Sequence, residues 1–170
     1  MLSTPYSPEH IEAVDTVVSA LQSAGIWYRA TGGLAGNLHG SVWPLHDIDL
    51  DYLAKDWVSI SNLLSPYLIE GPVPYEDNEF RLVMTRARVK SIEIELCQLE
   101  DCFVAGPRGW QRLDSAPEHR ESRPWRSGDI WIIPLDDLIA YKEIIGRESD
   151  LVELRSLRPS RGDELMVGAK

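Results

Sequence analysis

The sequence predicts one domain of the α/β class. Three observations predict it: 170 residues of globular composition, helical and strand periods that interleave along the chain, and two strands in which acids alternate with aliphatics. An apolar fraction of 44% beside 26% charged residues excludes disordered, collagenous and coiled-coil chains, because it leaves enough apolar material for a core. Residues 1–157 carry the elements. Residues 158–170 hold Pro, Gly and charge with little to bury, and read as a flexible C-terminal tail.

The first helix is expected from Pro8 to Ala24. Ser7 stands at the cap, Pro8 at the first helical position, Ile11, Val14, Val18 and Leu21 recur at helical spacing, and Gly25 follows the end. Ile26 to Thr31 reads as a short strand that breaks at Gly32-Gly33, followed by one or two helical turns over 34–38. In Asp47-Ile48-Asp49-Leu50-Asp51-Tyr52-Leu53 the period of two sends the aspartates to one face and the aliphatics to the other. A helix over Trp57 to Leu64 stops before Pro66, and Gly71-Pro72-Val73-Pro74 reads as a turn. Phe80 to Val89 and Ser91 to Leu99 form a hairpin whose second strand again alternates, with Glu93, Glu95 and Cys97 sharing a face. Ala105 to Asp129, rich in Gly, Pro and Arg, shows no period and reads as a long loop. Ile130 to Pro134 is a last short strand, and Asp136 or Asp137 caps a closing helix that runs past Gly146 to about Leu157.

The formal charge of -10 opposes a general positive field for nucleic acid, so a polyanion needs a local basic patch. Arg86, Arg88 and Lys90 on one strand face, with Arg108, Arg112, Arg120, Arg123 and Arg126 in the long loop, are the candidates for such a patch. Trp110 and Trp125 in the same loop are candidates for stacking on a base or an acceptor. Cys97 and Cys102 are expected reduced, and the four histidines have no zinc spacing. No apolar run approaches the length of a membrane span and no signal-like segment opens the chain, so the expected location is the cytoplasm.

Asp47 and Asp49, two residues apart on a strand, can share hard cations between their oxygens, and magnesium suits such an open acidic edge. Glu95 or Glu93, on the second acidic strand, is placed to supply a third carboxylate. Gly32-Gly33 lets backbone N–H groups approach a triphosphate with no Cβ in the way, and Ser41, after Gly40, can donate to the same phosphates.

Taken in order, the helix, the strand ending in Gly32-Gly33, the short helix through His39-Gly40-Ser41, Asp47-Ile48-Asp49, the later Glu93 or Glu95, and the closing helix Ile133 to Lys142 resemble the nucleotidyltransferase superfamily over residues 8–157. That group contains the polymerase-β palm and the small bacterial antibiotic and toxin-antitoxin members. The resemblance implies a small mixed β-sheet flanked by helices, Mg2+ or Mn2+, and a nucleoside triphosphate, by default ATP. It implies transfer of a nucleoside monophosphate to a hydroxyl on a small molecule, an RNA end or a protein. It makes Asp47 and Asp49 the metal pair, Glu95 the favoured third acid over Glu93, and Gly32-Gly33 the phosphate turn. Lys142, on the closing helix, would be presented to the triphosphate, the alternative being a solvated helix lysine. The residue after the glycine pair is Leu34, where the family has serine, which keeps open a non-catalytic binding module such as a toxin-antitoxin partner.

Overall fold

The computed structural model describes residues 5–113, 116–126 and 128–157. The tail expected from Arg158 onward lies outside them. Among the described residues five α-helices accompany one mixed sheet, with α1, α2 and α4 against its strands and α5 against α4. In chain order the elements are α1 (Pro8–Ser23), β1 (Tyr28–Ala30), α2 (Gly32–Leu38), β2 (Ile48–Tyr52), α3 (Trp57–Leu63), β3 (Leu68–Glu76), β4 (Phe80–Val89), β5 (Ile92–Gln98), β6 (Phe103–Gly106) and β7 (Gly109–Arg112). They continue with β8 (Glu121–Trp125), β9 (Gly128–Ile132), α4 (Leu135–Ile145) and α5 (Glu148–Leu157). The strands run in the order β7-β6-β4-β5-β2-β1-β9-β8, with β3 paired to β4 as well. β2/β5 and β1/β9 are parallel and the remaining pairs antiparallel, so the sheet is mixed as expected.

Alternation divides the labour of the central strands. Ile48, Leu50 and Tyr52 of β2 and Ile92, Ile94 and Leu96 of β5 face a core shared with Ala13, Val14, Val17, Val18 and Leu21 of α1. Asp49, Asp51, Glu95 and Cys97 therefore turn to the other side. α1 starts where the sequence places it. The Ser7 hydroxyl accepts from the His10 backbone N–H, and the Ser7 N–H donates to His10 Nδ1.

Four expectations need correction. Gly71 to Pro74 is strand β3 and not a turn; β3 pairs with β4 alone, and its prolines are tolerated on an edge whose register shifts between Leu68 and Val73. The stretch from Ala105 to Asp129 is largely strand, forming the hairpins β6–β7 and β8–β9. Strands of four and five residues, one with Pro124 on an outer edge, are too short to display a period. Gly32 and Gly33 are the first residues of α2, with Thr31 at its cap, so they begin the helix and do not precede it. The closing helix is two helices. Gly146 adopts φ +68, a left-handed conformation that ends α4, and Pro134 occupies the cap position expected for Asp136 or Asp137. Among the described residues no helix is long and apolar enough to cross a membrane.

Candidate active site

A cleft of about 320 Å³ opens on the polar face of the sheet, between β1, β2, β4 and β5 on one side and α2 and α4 on the other. Asp49 and Glu95 stand opposite each other in the parallel β2/β5 register, and Asp51 stands opposite Cys97. Asp47 lies just before β2, exposed at the mouth. Asp47, Asp49, Asp51, Glu95, Asp77 and Glu79 all line the cleft.

Gly32 fixes how closely the backbone approaches this acidic floor. It adopts φ +52, and a Cβ there would lie 2.0 Å from Asp49 Oδ2. No residue with a side chain fits without displacing the carboxylate. The Gly32 N–H donates to the Tyr141 hydroxyl at 3.0 Å, which ties the start of α2 to α4. Tyr141 is buried, and burial raises its phenol pKa above the ordinary value.

The acids outnumber the cations. Arg29, Lys142 and Arg147 are the lysine and arginine side chains in the cleft wall, and each already has an anionic partner. Arg29 Nε donates to Asp51 Oδ2 at 2.7 Å and its NH1 to the His119 carbonyl at 2.8 Å. Arg147 Nε reaches Asp150 at 2.6 Å and NH1 reaches Glu79 at 3.1 Å. Burial, followed by repulsion from Asp47, Glu95 and Asp51, pushes the Asp49 carboxyl up to about 8, with Lys142 acting in the opposite sense. Glu95 is raised as well, by burial first and then by Asp47 and Glu93. Such a group is stabilised as a carboxylate by added positive charge. Asp47, Asp49 and Glu95 carry only oxygen donors, the kind a hard divalent cation prefers. Among the described residues no three His, Cys, Asp or Glu groups already converge into a metal cage.

Asp47, Asp49, Glu95, Gly32, Gly33 and Lys142 are thus brought to one cleft, whereas Glu93 and Ser41 do not line it. Glu93 sits one pleat from Glu95 and pairs with Arg88 at 3.4 Å. Ser41 is buried with its hydroxyl accepting from the Trp43 N–H at 3.1 Å, so it closes a turn and faces no phosphate position. Lys142 lines the cleft but is not a solvent-side lysine. It is 4% exposed, and its ammonium donates to Asp150 at 3.0 Å and Glu153 at 2.7 Å, both on α5. Trp125 is an anchor, donating to Asp15 at 2.7 Å, while Trp110 lies under the Arg81 guanidinium; neither lines the cleft. Arg112, Arg123 and Arg126 pair with Asp101, Glu121 and Asp15, and Arg120 sits over Trp27 and Trp131.

Arg29 and Tyr141 were not singled out from the sequence. Arg29 carried a signal, since it falls in an otherwise apolar strand, where a charged residue needs a buried partner.

No family model and no curated protein matches the sequence. Solved structures do match in fold. A candidate nucleotidyltransferase from Thermotoga maritima superposes with a TM-score of 0.70 at 17% identity, covering 87% of this chain and 91% of its own. The enzyme ANT(2")-Ia, solved with adenylyl-2"-tobramycin, superposes with a TM-score of 0.59 at 8% identity over 86% of each chain. The chain shares the nucleotidyltransferase fold.

Proposed function

We propose that the protein is a nucleotidyltransferase that uses Mg2+ or Mn2+ to move a nucleoside monophosphate from a triphosphate, by default ATP, to a hydroxyl acceptor on a small molecule, an RNA end or a protein. The observation that carries this reading is the Asp49–Glu95 register pair, with Asp47 at the mouth and Gly32 closed down on Asp49. Asp47, Asp49 and Glu95 would hold the metal, which when bound supplies Lewis-acid activation of phosphate and hydroxyl oxygens.

The chain's own residues divide the remaining work. Gly32 lets the start of α2 close down on the Asp49 carboxylate, and Tyr141 keeps it in place by accepting from the Gly32 N–H. A Glu95 carboxylate oxygen takes the proton of the acceptor hydroxyl. The hydroxyl oxygen forms a bond to the α-phosphorus, the bond from that phosphorus to the bridging oxygen breaks, and pyrophosphate leaves. Lys142, held by α5, adds positive field at the inner wall.

A second reading, the non-catalytic binding module, is favoured by one observation. Leu34, where the family has serine, is fully buried and offers nothing to a phosphate. Titrating Mn2+ with a non-hydrolysable ATP analogue by calorimetry tests the first reading. Binding that needs the metal and is lost in Asp49→Asn supports it, and no binding in wild type contradicts it.

A further inference from the structure

The face that carries Asp49 and Glu95 changes chemistry in steps along the strands. Neighbouring rows on one face lie two residues apart, about 7 Å. The outermost row is Arg88–Glu93, exposed and ion-paired. The next is Asp49–Glu95–Arg86. One pleat further in, a single row crosses four strands as Arg29–Asp51–Cys97–Met84. Its two charges neutralise each other through the 2.7 Å contact, which leaves a thiol and a thioether as its remaining side chains. Another pleat on stand Leu82 and Leu99, both lining the cleft. Leu113 and Cys102, joined by a 2.9 Å backbone hydrogen bond, line this end as well.

The cleft therefore runs from an acidic mouth to a lobe walled by Leu82, Met84, Cys97, Leu99, Cys102 and Leu113, with Tyr75 opposite Leu82 and with Asp77 and Glu79 lining the cleft as well. The lobe begins one row inward of the carboxylates. A group placed there lies one short bond path from a hydroxyl at Asp49–Glu95. A polycation gains nothing from these walls and loses its hydration, whereas an uncharged apolar group gains from leaving water.

We infer that this inner lobe is the acceptor subsite, and that the acceptor is a small hydroxyl compound whose body is an uncharged, ring-sized apolar group attached close to the reacting hydroxyl. The inference rests on the nucleotidyl-transfer reading for the word acceptor, but the lobe's preference for apolar rings is measurable without turnover. Arg29 and Asp51 close the lobe with a paired guanidinium and carboxylate, so a single polar substituent on the ring is tolerated there, and a net charge is not.

The test uses the full chain and benzyl alcohol as probe, with spermidine and adenosine as comparison ligands, followed by ligand-observed NMR. Leu113 is half-buried and lines the cleft, so Leu113→Trp adds bulk to the lobe, and an unchanged melting temperature checks that the variant folds. Benzyl alcohol should bind in the millimolar range and weaken at least tenfold in Leu113→Trp; spermidine should not respond to Leu113→Trp. Absence of benzyl alcohol binding, or binding indifferent to Leu113→Trp, overturns the inference. Adenosine bound in its place and lost in Leu113→Trp overturns it too, by making the lobe a base pocket. Labelled triphosphate separates the two layers. Transfer to some other acceptor without benzyl alcohol binding refutes the lobe alone, while benzyl alcohol binding without any transfer refutes the enzymatic reading and leaves the lobe's apolar preference supported.

Discussion

Asp49 and Glu95 face each other across the parallel β2/β5 pair, and the Asp49 carboxylate leaves no room for a side chain at Gly32. Two carboxylates in register on a partly buried floor repel one another, and the chain spends its cleft cations on Asp51, Glu79, Asp150 and Glu153, not on this pair. Lys142 and Arg86 oppose this repulsion only in part, since both carboxyls stay raised above their ordinary values.

Asp49 titrates at about 8 when folded, against an ordinary value of 3.8. The folded chain thus binds this proton more tightly than the unfolded one. The stability it contributes is fully present below about pH 4 and is lost as pH rises through 8. Melting temperature should fall between pH 5 and pH 8.5 in wild type, and the fall should be shallower in Asp49→Asn. Mg2+ or Mn2+ at pH 8 should raise the wild-type melting temperature and leave Asp49→Asn unmoved. Identical pH profiles for the two proteins would count against the assignment.

Glu95 and Glu93 separate cleanly. Glu95→Gln should cut nucleotide transfer at least a hundredfold, because it removes the proton acceptor and a metal oxygen together. Glu93→Gln breaks only an exposed pair with Arg88, which contributes about 0–1 kcal/mol. Transfer rates and melting temperatures of both variants check this, and the reverse ranking would move the third acid to Glu93.

Lys142→Met should unfold more easily. It leaves Glu153 buried without its ammonium and Asp150 with Arg147 alone, and breaking a buried ion pair from one side costs about 3–5 kcal/mol. A fall in melting temperature of roughly 10 °C is expected. Adding Asp150→Asn and Glu153→Gln should recover part of it. An unchanged melting temperature would contradict the buried triad and restore Lys142 as a free ligand for phosphate.

Gly32→Ala should be destabilised and inactive, since the new methyl meets Asp49 Oδ2 at 2.0 Å in a left-handed conformation. Metal-dependent nucleotide binding should be lost more completely than the fold. Wild-type affinity in this variant would remove the close approach from the account.

The acidic strands were legible because alternation needs no tertiary knowledge: Asp49 and Glu95 had to share faces with their neighbours, and the mixed sheet brought the two faces together. The hairpins β6–β7 and β8–β9 were hidden, because strands of four or five residues with Gly and Pro carry too little pattern. The burial of Lys142 is hidden from the sequence for a different reason. Its burial depends on α5 folding back beyond Gly146, and spacing within α4 says nothing of where Asp150 and Glu153 arrive. Ser41 was misplaced because a hydroxyl close to the glycine pair in sequence is turned inward by its own turn with Trp43.

Nucleotidyl transfer is measured by incubating the purified chain with labelled ATP, GTP, CTP and UTP, Mg2+ or Mn2+, and a cell extract. Label should pass to a hydroxyl acceptor with release of pyrophosphate, and should fail to do so in Asp49→Asn and Glu95→Gln under the same conditions. Absence of labelled product from every triphosphate in wild type, or label transfer that persists in both variants, would contradict it.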